Sequence, residues 1–147
     1  MVAASLTGCG SKSDNTASTD TTADSATAGD TLKIGGIGPI TGGAAIYGQA
    51  VMNAAQMATD EINAAGGING YQVEFRFEDD EHDAEKSVNA YNTLKDWGMQ
   101  MLMGTVTSTP CTAVVAKTAE DNMFQLTPSG SAVESIAQPN AFRVCFS

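Results

Sequence analysis

Gly104-Thr-Val-Thr-Ser-Thr-Pro-Cys111 follows a short apolar run, Met99 to Met103, and precedes helical spacing from Pro110 to about Asp121. Small hydroxyl residues therefore stand where a strand ends and a helix begins. In an open α/β sheet ligands bind at such places, because unpaired backbone N–H groups and the positive end of a helix dipole converge there. A second hydroxyl-rich turn, Thr127-Pro-Ser-Gly-Ser131, follows the next apolar run and is expected beside the first. Two such turns without a catalytic base point to binding rather than chemistry.

Working outward, Thr31 to Gly38 reads as a buried strand running into a Gly/Pro turn, Gly38 to Gly43. The spacing predicts a helix from about Gly48 to Ala65, with Val51, Ala54, Ala55, Ala58 and Ile62 on one face and Gly66-Gly67 ending it. That leaves Ala44 to Tyr47 as a loop able to fold over a ligand, with Tyr47 either walling the ligand or packed under the loop. Tyr71 to Glu78 alternates, setting Val73, Phe75 and Phe77 against Glu74, Arg76 and Glu78. This is a strand with one wetter face, near a sheet edge. Asp83 suits the N-cap of a helix from Ala84 to Trp97, whose inner face is Ala84, Val88, Tyr91 and Leu94, and Gly98 stops it. Met99 to Met103 is a strand, the next helix carries Val114, Val115 and Thr118, and Met123 to Leu126 and Ala141 to Phe146 are further strands. Strands alternating with helices imply right-handed βαβ units: an α/β fold in three layers, with helices on both faces of a parallel sheet.

The 147-residue chain carries a net charge of −10 with only 7 Lys and Arg, which argues against nucleic acid as a partner. Residues 10 to 30 are almost all Ser, Thr, Asp, Ala and Gly. They lack the apolar surface to offset ordering entropy and read as a disordered tether. Ahead of them, Leu6-Thr-Gly-Cys9 has the form of a lipobox, resembling the processing site of bacterial lipoproteins. On that reading residues 1 to 9 are the end of a clipped signal peptide and Cys9 is the lipidated residue that anchors the chain outside the cytoplasm. Cys111 and Cys145 are compatible either with a disulfide in that compartment or with two buried thiols.

Other candidate chemistries are weaker. Gly36-Ile-Gly-Pro-Ile-Thr41 sits like a dinucleotide loop, but Thr41 replaces the third Gly and Pro39 removes an N–H donor. Glu78-Asp-Asp-Glu-His-Asp83 holds the only His, yet fits neither a calcium loop nor a zinc site. It reads as a solvated strand-to-helix loop, with Asp79 and Asp80 orienting it near a cleft. His82 has no Ser or Cys partner in a nucleophile motif. No catalytic residue, metal site or cofactor is therefore assigned. In Ser108-Thr-Pro110, Thr109 suits the N-cap with Pro110 at the first helical position, leaving Ser108 just outside the helix and free to meet a carboxylate. Ser129 and Ser131, around Gly130, could offer a carbonyl and a hydroxyl to an ammonium group, although Pro-Ser-Gly-Ser is also ordinary turn composition.

Residues 31 to 147 resemble the N-terminal lobe of the leucine/isoleucine/valine-binding family, extracytoplasmic receptors of amino-acid ABC importers with a type I periplasmic-binding-protein fold. Lys33 to Gly42, Asp60-Glu-Ile-Asn-Ala-Ala-Gly-Gly-Ile-Asn-Gly70, Glu78-Asp-Asp80, Gly104 to Pro110 and Leu126 to Ser131 carry the resemblance. It implies that Ser108 binds the ligand carboxylate and that the Ser129 carbonyl receives the ammonium group. Ser131 stands where the family usually has Thr, and Tyr47 lines the ligand's side chain. It further implies a partner permease, membrane attachment through the lipid anchor, and a second lobe that lies outside this sequence. A branched-chain or related amino acid is the ligand so implied. A urea, short amide or other amino-acid receptor is the alternative, with a nucleotide-dependent α/β enzyme a weaker rival. The small disulfide of some relatives has no counterpart, since His82 and Thr107 hold the matching positions.

Overall fold

Apolar runs separated by helical segments fold as one parallel sheet in the computed structural model, which describes residues 31–146. The elements are β1 (Thr31–Gly38), α1 (Ala45–Ala64), β2 (Gln72–Asp79), α2 (Ala84–Asp96), β3 (Met101–Gly104), α3 (Ser108–Glu120), β4 (Gln125–Thr127) and β5 (Ala141–Arg143). A short 3₁₀ turn, Val133–Ile136, precedes β5. The strand order is β2-β1-β3-β4-β5, and every pairing is parallel. β2 is an edge strand, as its alternating polarity predicts. The expected lipidation site Cys9 and the tether of residues 10 to 30 lie outside the described residues.

Alternation along β1 divides the core. Ile34 shares an apolar crevice with Val73, Phe75 and Met103 beneath Ala55 and Ile62 of α1. Ile37 turns the other way and packs fully buried with Tyr91 and Leu94 of α2, Leu102 of β3 and Val114 of α3. Asp83 caps α2 as expected, its carboxylate accepting from Lys86 N at 2.8 Å, and Gly98 ends that helix at φ 91°.

Several boundaries differ from the sequence reading. α1 begins at Ala45 rather than Gly48, because the turn closes early through Ala45 N to Gly42 O and Tyr47 N to Ala44 O. Tyr47 therefore sits in the first helical turn, not in a loop, and is 60% exposed. α3 begins at Ser108, with Thr107 as its N-cap residue and Pro110 inside the first turn. Thr107 is extended and its carbonyl accepts from Cys111 N at 3.0 Å, so Thr109 and Pro110 stand two residues further in than expected. Met99 and Met123 donate to Leu94 O and Thr118 O, closing helices rather than extending strands. β5 stops at Arg143, and Val144 and Phe146 beyond it are exposed.

The possible Cys111–Cys145 disulfide is not formed; both cysteines are free thiols. Cys111 is fully buried under α3, where its sulfur receives Gln125 Nε2 at 3.2 Å and faces Ser135 O at 3.7 Å. Cys145 lies beyond the end of β5, half-buried.

Candidate functional site

All five strands point the same way, so the loops after β1, β2, β3 and β4 gather at one end of the sheet. β1 is flanked by β2 and β3, and the chain reverses direction across the sheet between them. That is the crevice position at which open α/β sheets bind ligands. A hollow of about 300 Å³ lies there, lined by Tyr47 of α1, His82 of the β2–α2 loop, Val106 and Thr107 of the β3–α3 loop, Ser108 and Thr109 of α3, and Ser129 after β4.

Hydrogen bonds lock the walls. Val106 N donates to Ile37 O at 3.1 Å, tying the β3–α3 loop to β1. The Thr127 hydroxyl donates to Thr105 O at 2.7 Å and receives Gly130 N at 2.9 Å. The Ser129 hydroxyl donates to Val106 O at 2.6 Å. Across the same gap Ala132 N donates to the Ser108 hydroxyl oxygen at 3.2 Å. These contacts settle what each serine can still do. Ser129 has spent its only hydroxyl proton and keeps acceptors. Ser108 has received a hydrogen bond and keeps its proton, so it can donate to an anion. The N–H groups of the first turn of α3 lie beside it, and Pro110 has none to offer.

The acidic loop shapes the opposite rim. Asp79 accepts from Ile40 N and Glu81 N, both at 2.9 Å, and from the Thr41 hydroxyl. Burial acts to raise its carboxyl, but the Thr41 hydroxyl and these N–H groups outweigh it and hold Asp79 below the usual carboxylate range. Asp80 is fully buried, accepts from His82 N at 2.9 Å, and leaves Oδ2 without a partner. Desolvation pushes its carboxyl up to about 6, against the pull of the His82 hydrogen bond. Thus both aspartates fix loop geometry, one pinning the β1–α1 turn and the other the backbone of His82.

Of the sequence-assigned residues, Ser108, Ser129 and Tyr47 meet in one hollow. Ser131 does not line it; its carbonyl is taken by Arg143 Nη1 at 2.8 Å and its side chain is exposed. His82, Val106 and Thr107 line the hollow without having been assigned to it. The left-handed φ of Glu81 and His82, 48° and 63°, folds the loop inward, and nothing in a run of acids signals that. Among the described residues no cluster of three His, Cys, Asp or Glu could hold a metal ion.

A family model described as periplasmic binding protein matches residues 31–147. The Leu/Ile/Val-binding protein BraC3 of Rhizobium johnstonii is 36% identical over 111 residues, 74% of this chain and 30% of that protein. A leucine-, isoleucine-, valine-, threonine- and alanine-binding protein of Pseudomonas aeruginosa is 35% identical over 97 residues, 66% of this chain and 26% of its own length. The branched-chain amino acid transporter substrate binding protein LivJ of Streptococcus pneumoniae, solved with isoleucine, superposes with a TM-score of 0.76 at 31% identity, covering 80% of this chain and 34% of that one. The chain therefore spans about a third or less of the length of these relatives. Parallel five-stranded sheet, switch-point hollow and family match agree: the chain belongs to the periplasmic binding protein family.

Proposed function

We propose that this chain is the first lobe of an extracytoplasmic receptor that captures a branched-chain or related amino acid for an ABC importer. Its role is binding, not catalysis. The observation that carries the reading is the donor left on Ser108. Its oxygen is occupied by Ala132 N, so its proton and the adjacent α3 N–H groups suit a carboxylate, while Ser129 retains acceptors for an ammonium group. One zwitterion satisfies both demands. Tyr47, aromatic and exposed on the first turn of α1, walls the hollow on another side. A second lobe closes over the ligand, and the closed pair docks on the permease, since closure is the change a partner can read. Cys9, lipidated, tethers the receptor to the membrane through residues 10 to 30.

The reading is tested by thermal unfolding of the receptor carrying both lobes. Leucine, isoleucine or valine at about 100 times Kd raises its stability by about 2.7 kcal/mol. A rise with ATP or NAD and with no amino acid overturns the reading. Ser108→Ala in the same protein is expected to weaken amino-acid binding about tenfold, roughly 1.4 kcal/mol, as a buried carboxylate loses its hydroxyl donor. Calorimetry showing unchanged affinity refutes the role of Ser108.

A further inference from the structure

The walls nearest Tyr47 are not those of a wholly aliphatic pocket. His82 is the only histidine in the chain, and it lines the same hollow as Ser108 and Ser129. Three restraints hold its ring in place. His82 N is bound to the buried Asp80 carboxylate at 2.9 Å, its backbone is fixed at φ 63°, and Nδ1 lies 2.8 Å from the Thr107 hydroxyl. Thr107 is the N-cap residue of α3, yet its hydroxyl makes no capping bond and turns to the imidazole instead. A non-glycine residue in the left-handed region is a strained choice, kept where surrounding structure over-determines it. Among the described residues, Nε2 of the same ring has no hydrogen-bond partner.

We propose that His82 is a specificity-determining residue of the ligand site, and that its unpartnered ring nitrogen selects an amino acid whose short side chain carries a hydrogen-bonding group, threonine in preference to its isostere valine. The inference rests on the amino-acid reading given above and sharpens its substrate class. Ser108 and the start of α3 occupy the carboxylate end of the hollow. The imidazole therefore faces the remaining space, where the side chain must lie. Threonine and valine share shape and volume and differ only in hydroxyl against methyl. A wall with a fixed polar atom discriminates between them, because valine leaves that atom desolvated and unpaired. Thr107, acting through the ring, is a positioning residue.

The test is calorimetric titration of the two-lobed receptor with L-threonine and L-valine, for wild type, His82→Gly and Thr107→Val. Glycine removes the ring and suits the left-handed backbone, so the loop keeps its course. The preference for threonine over valine in wild type is expected to be about five- to tenfold. It should collapse to near unity in His82→Gly and shrink in Thr107→Val, whereas Ser108→Ala weakens both ligands equally. A valine-to-threonine Kd ratio that is the same in wild type and His82→Gly overturns the proposal, even when both ligands bind. Failure of wild type to bind either these or leucine instead overturns the amino-acid reading beneath it.

Discussion

Gly48→Ala should cost more than about 3 kcal/mol of stability, a larger loss than any side-chain deletion in the ligand hollow. Gly48 is buried in the first turn of α1, which runs directly over the β1–α1 turn. A Cβ placed there would lie 1.8 Å from Pro39 O, 2.5 Å from Pro39 C and 2.9 Å from Pro39 N. All three are backbone atoms of a ring-constrained residue, so no side chain can swing aside. Either α1 lifts from the sheet or the Pro39 turn moves away from the end of β1. Both routes also displace Tyr47, and both strain the bond from Gln49 Nε2 to Ile40 O at 2.8 Å. Gly43→Ala is the matched control, since its added Cβ meets no atom within 4 Å. It should stay within about 0.5 kcal/mol of wild type. Thermal unfolding of the chain reads the difference as a drop of at least about 10 °C for Gly48→Ala alone. Equal midpoints for the two variants would sink the argument.

That close approach also shows why the sequence could be read further for strands than for the site. β1 and β2 were legible because their patterns are long; the period-2 run from Val73 to Phe77 leaves one choice of face. α2 was legible for a similar reason, with Asp83 and Gly98 marking its ends. β3, β4 and β5 span only 4, 3 and 3 residues. A helix-closing bond to Met99 or Met123 is stronger information there than propensity. Gln125 is the sharpest case. It is a polar residue at the start of β4, fully buried because the Thr118 hydroxyl, at 2.7 Å from its Oε1, and the Cys111 sulfur satisfy its amide. Those partners come from another element, so no local pattern could announce them. The site behaves alike. Ser108 and Ser129 follow from strand-to-helix position, whereas His82 enters the hollow through two left-handed residues inside a charge run that reads as solvated.

Asp80→Asn should stabilise the chain at pH 7.5 and leave it nearly unchanged at pH 4. The folded carboxyl is pushed up to about 6 by desolvation, above the roughly 3.9 of an unfolded aspartate. The folded state therefore holds this proton more tightly than the unfolded state does. Stability attributable to Asp80 is greatest below about pH 4, falls as pH rises between about 4 and 6, and is flat above that window. The full difference is at most about 3 kcal/mol. Asparagine keeps an Oδ1 to accept from His82 N, so the loop's course is preserved, and it replaces the unpartnered Oδ2 with a neutral group. The other acids complicate the raw profile, because Asp79 and Asp121 titrate below their usual range and act with the opposite sign. The variant-minus-wild-type difference cancels them. Chemical unfolding at pH 4, 5, 6 and 7.5 should show that difference growing with pH toward the upper value; a constant offset would mean that Asp80 does not carry the buried charge. A carboxylate kept here against that cost has one visible return. It fixes the backbone of His82 at the rim of the hollow, and the same amide should remain held in Asp80→Asn while the charge is gone.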